Sequence, residues 1–366
     1  MNPLAARILD PDAPCFVIAE AGVNHNGDPA LAHRLVEAAA STGADAVKFQ
    51  TFRAALLVTR DARKAAYQVE RTGADDGQEA MLAALELSFD TFRALKDHAE
   101  SLGLAFLSTP FDVPALEFLA GLGVGALKLS SGEVTHRALL ESAGATGLPV
   151  LLSTGMSTLA DVEGALLDVA SGRRRAALTG PPPLVLLHCV SSYPARAEDV
   201  HLRAMPRMGA LFGVPVGYSD HTPGIELAPL AVALGARVFE KHLTLDRALP
   251  GPDHAASLEP AAFAEMIARM RLARVFLGSA AKAPAPVELE VMQVARRSVV
   301  AAEDIPRGTV LAPRHLIAKR PATGLAPRLT ERLLGLVARR DIRADELVSF
   351  EMLESNTRIL DRKDDR

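Results

Sequence analysis

Short apolar segments alternate with amphipathic segments along the first 280 residues or so. Each apolar segment reads as a buried strand, and seven of the eight precede an evident helical pattern. The strands are predicted at 16–20, 46–50, 104–110, 126–133, 149–155, 184–194, 214–217 and 236–239. Such alternation predicts a parallel sheet, and eight units predict a (β/α)8 TIM barrel. A doubly wound open sheet is the alternative.

The pattern changes after Gly278. A Pro-containing stretch begins at Ala283, and shorter segments rich in β-branched residues follow from Arg296. We therefore predict a barrel domain over 1–282, a stiff linker over 283–295 and a small, mostly β domain over 296–354. The highly charged segment 355–366 is predicted to be a disordered tail.

Composition narrows the possible functions. The chain has no Trp, only three Tyr and a formal charge of −4, so neither base stacking nor a basic surface indicates nucleic-acid binding. Cys15 and Cys189 lie in apolar runs, which favours buried thiols over a disulfide. Neither a signal peptide nor a membrane-spanning apolar stretch is evident, so a soluble cytoplasmic protein is expected.

Polar residues stand at the C-terminal end of every predicted strand, which is where TIM barrels carry their chemistry. Lys48 and Lys128 are each embedded in an apolar run, and a buried lysine requires an anion. Strand-end hydroxyls could surround a phosphate with neutral donors, although any one of them could merely cap a helix. These hydroxyls belong to Thr109, Ser131, Ser153 and Ser219.

Two histidines follow neighbouring strands. His221 and His242 are predicted to face one cavity and to bind a divalent metal, with Asp220 and Glu240 orienting their imidazoles. Glu133 and Glu20 are then the carboxylates that could act as general acid or base. Other histidines have simpler interpretations: His188 fits a core residue bonded to a carbonyl, and His98 and His136 need no functional role. The residues alone thus predict a metal-assisted barrel enzyme acting on a small phosphorylated compound.

The same residues lie in motifs that resemble the sialic acid (N-acylneuraminate, or nonulosonate) synthase family over nearly the whole chain. The matching segments are IAEAGVNHNGD (18–28), ADAVKFQTF (44–52), LSTPFD (107–112), LKLSSGE (127–133), LSTGM (152–156), HCVSSYPA (188–195), GYSDHT (217–222), EKHLTLDR with GPDH (240–254), and RRSVVA to KRPATG (296–324). The small C-terminal domain resembles the antifreeze-like, or SAF, domain of these synthases.

The resemblance implies condensation of phosphoenolpyruvate with an N-acylated hexose, such as N-acetylmannosamine, to give a nine-carbon 2-keto acid and phosphate. By the same resemblance, Mn²⁺ or Mg²⁺ would be bound by His221 and His242, and Glu133 would position or deprotonate the attacking water. Phosphoenolpyruvate would be held by Lys48, Thr109, Lys128, Ser131, Ser153 and Ser219. The sugar would be contacted by Glu20, Gln50, Tyr193 and Asp253.

Arg320, in the KRP segment, matches the arginine that the SAF domain of one subunit in this family inserts into the barrel of its partner. The resemblance therefore implies a domain-swapped homodimer in which Arg320 meets the N-acyl group. Without it, Arg320 is one more charged residue of a basic domain.

Two features of the sequence leave the identity of the sugar substrate undecided. Ser191 and Ser192 stand where the family often has an asparagine before Tyr-Pro, and segment 65–88 looks more like the legionaminate branch. A 2,4-diacetamido-6-deoxyhexose, giving N,N'-diacetyllegionaminate or pseudaminate, is therefore an alternative to N-acetylmannosamine. A non-catalytic sugar-binding or assembly protein is a second alternative. A synthase of an eight-carbon keto acid, which should lack the SAF domain, is a third.

Overall fold

The computed structural model of the protein describes residues 3–65, 68–69 and 77–356. The chain forms two compact units, Met1–Gly278 and Ser279–Arg366. Within the described ranges, no helix is long and apolar enough to cross a bilayer.

The first unit is an eight-stranded parallel barrel with helices outside it. Its strands are β1 Phe16–Gly22, β2 Ala46–Thr51, β3 Ala105–Pro110, β4 Leu127–Leu129, β5 Val150–Ser153, β6 Leu184–Cys189, β7 Val216–Asp220 and β8 Val238–His242. Its helices are α1 Pro3–Leu9, α2 Pro29–Thr42, α3 Ala54–Leu57, α4 Gln78–Ala83, α5 Phe89–Ser101, α6 Val113–Leu122, α7 Arg137–Thr146, α8 Leu159–Arg175, α9 Ala204–Phe212, α10 Leu227–Ala233 and α11 Pro260–Leu277. The strands pair in the order β3-β2-β1-β8-β7-β6-β5-β4, and β3 also lies against β4. The predicted TIM barrel is confirmed.

The two faces of the strands bury two separate cores. Outward-facing residues such as Val47 and Phe49 pack with the helices, whereas inward-facing residues such as Ile18 and Leu151 fill the barrel interior. Ile8 of α1 joins the inner core. Because side chains alternate along a strand, the residue between Val47 and Phe49 must point inward. That residue is Lys48.

The last two strands run further than the sequence predicts. β7 and β8 end at Asp220 and His242 rather than at Gly217 and Phe239. The reason is that their polar residues still pair across the ladder, Ser219 with Glu240 and Asp220 with Lys241. The polar groups therefore sit on rigid strand backbone and not on the loops that follow.

The second unit contains α12 Glu288–Ala295, α13 Thr330–Leu333 and four short strands. β9 Ser298–Ala301 pairs antiparallel with β10 Leu316–Lys319, and β11 Val337–Ala338 pairs antiparallel with β12 Leu353–Glu354. A small core that includes Val299, Ile305 and Ile342 holds them together.

Helix α12 lies inside the predicted linker 283–295, directly after its Pro-containing start. The segment Glu288–Ala295 contains neither Pro nor Gly, and the Glu288 carboxylate accepts a hydrogen bond from the Ala285 N–H ahead of the helix at 2.7 Å. Such a cap favours helix over extended chain. Of the predicted tail, residues 357–366 lie outside the described residues.

Candidate active site

One cavity of about 510 Å³ opens among the C-terminal ends of the barrel strands. Its lining includes every barrel residue that the sequence assigned to the site. These are Glu20, Lys48, Gln50, Thr109, Lys128, Ser131, Glu133, Ser153, Tyr193, Ser219, His221, His242 and Asp253. The strand ends and the loops that follow them thus bring together residues from Glu20 to Asp253.

Two buried lysines and two buried carboxylates form the floor of this cavity. Lys48 Nζ lies 2.5 Å from Glu20 Oε2 and 3.7 Å from Glu240 Oε2, and Lys128 Nζ lies 3.5 Å from Glu240 Oε1. All four side chains are at most 6% exposed. Each charge is therefore balanced inside the barrel, as burial requires.

The two carboxylates respond differently to this environment. Burial raises the pKa of Glu20 to about 7, although Lys48 opposes the rise. Burial also disfavours the charged form of Glu240, but Lys128 and Lys48 outweigh it and lower the Glu240 pKa to about 2. Glu240 is thus the permanent anion of the cluster. Glu20 can take up a proton near neutrality, which makes the floor more positive towards an incoming anion.

The strand-end hydroxyls surround this floor. Thr109 Oγ1 accepts a hydrogen bond from Lys48 Nζ at 3.0 Å, and Ser219 Oγ donates one to Glu240 Oε1 at 2.8 Å. Ser153 Oγ is buried and has no hydrogen-bond partner among the described residues. A buried hydroxyl without a partner is costly, so a ligand oxygen would satisfy it.

Ser131 lies on the same side of the cavity, next to a residue that the sequence analysis did not assign. Its Oγ accepts a hydrogen bond from the Gly155 N–H at 3.0 Å and lies 3.1 Å from Cys189 Sγ. The Gly155 N–H also points to that sulfur at 3.2 Å. Cys189 was predicted only to be buried. Its inward register on β6, two residues beyond Leu187 of the inner core, is the signal that places it in the cavity.

His221 and His242 do face each other, with ring centroids 5.6 Å apart and Tyr193 against both. His221 Nδ1–H donates to the Val190 carbonyl at 2.7 Å, which leaves Nε2 as the free nitrogen. His242 Nδ1 is buried without a hydrogen-bond partner, and the nearest carboxylate oxygen, Asp253 Oδ2, is 3.9 Å away. Burial lowers the pKa of both imidazoles, so both offer lone pairs.

This pair fits a divalent metal whose other ligands come from outside the protein. Within residues 3–65, 68–69 and 77–356, no group of three or more His, Cys, Asp or Glu side chains is arranged to hold an ion. Two neutral imidazoles, one of them with an orphaned nitrogen, would therefore need oxygen ligands from substrate and water.

The predicted orienting roles of Asp220 and Glu240 were wrong. Asp220 accepts from Lys241 Nζ at 2.6 Å and from the Thr222 N–H at 2.8 Å, on the outer face of the barrel. Glu240 belongs to the lysine floor. The imidazole of His221 is oriented instead by a backbone carbonyl. Alternation explains this result, because the residue after the inward-facing Ser219 must face outward.

His136 has a contact that the sequence analysis missed. Its Nδ1 lies 2.6 Å from Glu133 Oε2, at the start of α7, so one oxygen of the Glu133 carboxylate is fixed. The three-residue spacing within a helical turn was the available signal. His188, in contrast, is the predicted core histidine: its Nε2 bonds to the Val200 carbonyl at 2.9 Å.

The loop that carries Asp253 is tied to the segment after β1. Asn24 Nδ2 donates to the Leu243 carbonyl at 2.8 Å and to Ser257 Oγ at 2.9 Å, and Ser257 Oγ donates to the Asp253 carbonyl at 2.7 Å. These buried bonds fix the loop beside His242. The NHNG segment (24–27) therefore contributes to the site by holding the Asp253 loop in place.

Neighbouring His25 makes the stability of the barrel depend on pH. It is buried, and its Nδ1 accepts from the Gly27 N–H at 3.0 Å, which requires a neutral ring. Burial lowers its pKa to about 4, so the unfolded chain binds this proton more readily and stability falls as pH falls below about 6.5. From pH 7 to pH 5 we expect a loss of about 2 kcal/mol from this group.

Urea unfolding of wild type and His25→Asn at both pH values measures that loss. Asparagine keeps an acceptor for the Gly27 N–H but does not titrate, so the variant should lose about 2 kcal/mol less than wild type between the two pH values. Equal pH dependence in the two proteins would contradict the assignment of a neutral buried imidazole.

Arg320 lies in the second unit, directly after β10, with an exposed side chain. Its predicted role in a partner subunit stays a prediction.

The fold and the cavity together define the class of protein: a (β/α)8-barrel enzyme with its site at the C-terminal ends of the strands. The chain belongs to the NeuB family, which its residues 35–282 match, and residues 296–354 match the SAF domain. The resemblance drawn from the motifs is confirmed.

Three relatives illustrate this membership. The N,N'-diacetyllegionaminic acid synthase of Legionella pneumophila is 44% identical over 93% of this chain and 95% of its own length. The synthase of the same name from Campylobacter jejuni is 41% identical over 91% and 98%. Among solved structures, the N-acetylneuraminic acid (sialic acid) synthetase of Leptospira borgpetersenii is 36% identical, with a TM-score of 0.66 over 76% of this chain and 90% of that one.

Proposed function

We propose that the protein condenses phosphoenolpyruvate with an N-acylated hexose and water to give a nine-carbon 2-keto acid and inorganic phosphate. The observation that carries this proposal is the cavity itself, which is lined by two buried lysines and by the hydroxyls of Thr109, Ser131, Ser153 and Ser219. The best-supported sugar is a 2,4-diacetamido-6-deoxyhexose, giving N,N'-diacetyllegionaminate, because the two relatives described above at 44% and 41% identity bear that activity in their names.

The floor suits a small, highly charged anion. Lys48 and Lys128 are paired with Glu20 and Glu240. The phosphate and carboxylate of phosphoenolpyruvate would take over part of this pairing, and protonation of Glu20 would offset the added negative charge. Thr109, Ser131, Ser153 and Ser219 would supply neutral donors to the same oxygens.

Carbon–carbon bond formation requires the alkene carbon of phosphoenolpyruvate to approach the sugar aldehyde. A Mn²⁺ or Mg²⁺ ion held by His221 and His242 would supply Lewis-acid polarisation of that aldehyde. The alkene electron pair forms the new bond to the aldehyde carbon, whose oxygen takes up a proton. The positive charge left at C2 is met by water, and loss of phosphate then gives the 2-keto acid.

Glu133 is the carboxylate proposed to orient and deprotonate that water. Glu133 lines the cavity, and its Oε2 is held by His136. Glu20, Gln50, Tyr193 and Asp253 are proposed to contact the sugar. Gln50 Nε2 donates to Glu20 Oε1 at 3.1 Å, which links the sugar-binding and anion-binding parts of the site.

Phosphate release from phosphoenolpyruvate tests the proposal directly. The purified protein is assayed with Mn²⁺ and a panel of sugars, namely 2,4-diacetamido-6-deoxymannose, its pseudaminate-type isomer and N-acetylmannosamine, with mass analysis of the products. We expect sugar-dependent release, fastest with the first. Fastest release with N-acetylmannosamine would favour a neuraminate synthase, and no release with any sugar would favour a binding protein.

Arg320 carries a separate part of the proposal, which rests on the family resemblance. We propose that it meets the N-acyl group from a partner subunit of a homodimer. Arg320→Ala should then raise KM for the sugar by about 10–100-fold, the loss expected for a charged hydrogen bond. KM for phosphoenolpyruvate should be unchanged. Equal sugar KM values for Arg320→Ala and for the exposed control Arg328→Ala would contradict it.

A further inference from the structure

A hydrophobic cluster lies apart from both barrel cores. It packs together six residues that follow the ends of β1, β2 and β3, and each of the six also lines the cavity. They are Val23, Phe52, Leu57, Leu82, Leu85 and Phe111. We call this cluster the apolar wall. It does not arise from one sequence motif, because its members come from four separate stretches of chain.

The side chains of the apolar wall are closely packed against one another. Val23, Phe52 and Leu85 are each at most 8% exposed, and the rings of Phe52 and Phe111 meet edge to face with centroids 6.1 Å apart. Such packing fixes side-chain positions before any ligand enters. Polar residues line other parts of the same cavity, among them Ser191, Tyr193 and Asp253.

The position of the wall relative to the floor determines which part of the sugar it meets. The reacting aldehyde must lie by the lysine floor, where phosphoenolpyruvate is proposed to bind. The wall residues follow the strand ends in the chain, whereas the floor residues lie on the strands themselves. The far end of the hexose, C4 to C6, would therefore reach the wall.

We infer that the apolar wall selects a 6-deoxy sugar by packing against its C6 methyl group and the methyl of a 4-acetamido group. This inference rests on the proposed function. A hydroxymethyl group at C6 would lose its hydration against the wall without gaining a partner there. Gln78 lines the cavity on the same face of α4 as Leu82, one turn away, and its amide can pair with the acetamido group.

Helix α3 offers a matched pair of variants. Leu57 lines the cavity, whereas its neighbour Leu56 is 59% exposed and lies outside the lining. Leu57→Gln therefore places an amide in the wall, and Leu56→Gln places the same amide in solvent. Leu82→Gln on α4 is a second wall variant, so the test does not depend on one protein folding.

Steady-state kinetics with 2,4-diacetamido-6-deoxymannose and with N-acetylmannosamine measures the preference of each variant. For wild type we expect a preference for the deoxy sugar of about 10–200-fold, the range that an apolar pocket achieves. Leu57→Gln and Leu82→Gln should each reduce that ratio by about 10-fold, with KM for phosphoenolpyruvate unchanged. Leu56→Gln should keep the wild-type ratio.

Calorimetric titration of the same proteins with both sugars separates this inference from the proposed function. If wild type releases no phosphate with any sugar, the proposed function fails, and the binding ratios still test the wall. If folded Leu57→Gln and Leu82→Gln keep the wild-type ratio of both kcat/KM and affinity, the wall does not select the sugar and the inference is overturned.

Discussion

Replacing Lys128 by methionine should lower kcat/KM for phosphoenolpyruvate by about 10²–10³-fold, as expected when one preorganised charge partner of a reacting anion is lost. Lys128 is fully enclosed, and burial lowers its pKa while Glu240 opposes that shift. Methionine keeps most of the length of the side chain but removes the charge. The floor would then carry one cation against two carboxylates and would repel the substrate.

The loss must be separated from a simple effect on folding, because Lys128→Met also leaves Glu240 with one fewer cation nearby. Adding Glu240→Gln in the same chain removes that stranded charge. The double variant should therefore recover thermal stability but not affinity for phosphoenolpyruvate. Lys96→Met is the matched control, since Lys96 pairs with Glu100 at 2.8 Å on the surface of α5. If Lys128→Met kept the wild-type kcat/KM, the proposed role of the floor in binding phosphoenolpyruvate would be contradicted.

The two inward-facing lysines of the floor could be predicted from the sequence because their signal is local. In Val47-Lys48-Phe49 and Leu127-Lys128-Leu129, apolar neighbours on both sides of a lysine fix a buried strand, and alternation then sends the lysine inward. Eight repeats of strand and helix likewise fix the barrel, whose strand ends must converge.

Other features depend on contacts between distant segments, and no local pattern encodes them. The apolar wall joins residues from the ends of three strands and from two short helices. The sequence shows Asp220 and Glu240 equally close to a histidine, and only the register of β7 against β8 separates their roles. The sequence analysis ended β7 and β8 too early for the same reason, because the pairing of their polar residues depends on the neighbouring strand.

The outward-facing pair of Asp220 and Lys241 leads to the largest expected change in stability. Lys241 is fully buried, and its Nζ donates to Asp220 Oδ2 at 2.6 Å and to the Thr222 carbonyl at 2.5 Å. Asp220→Asn removes the only charge within hydrogen-bonding distance of that ammonium among the described residues. Leaving one buried ion unpaired typically costs about 3–5 kcal/mol, so the free energy of unfolding should fall by that amount.

A second variant shows whether the pair stabilises the barrel or only avoids an unpaired charge. Asp220→Leu combined with Lys241→Met removes both charges, and the cost of burying them disappears with their attraction. The double variant also removes the partners of the Thr222 N–H and carbonyl, so it should stay below wild type but unfold less easily than Asp220→Asn. Urea titrations with a chelator present measure both values without a contribution from metal at the adjacent His221 and His242. If the double variant were as unstable as the single one, the pair itself would be the source of stability, and the strands β7 and β8 would depend on it for their register.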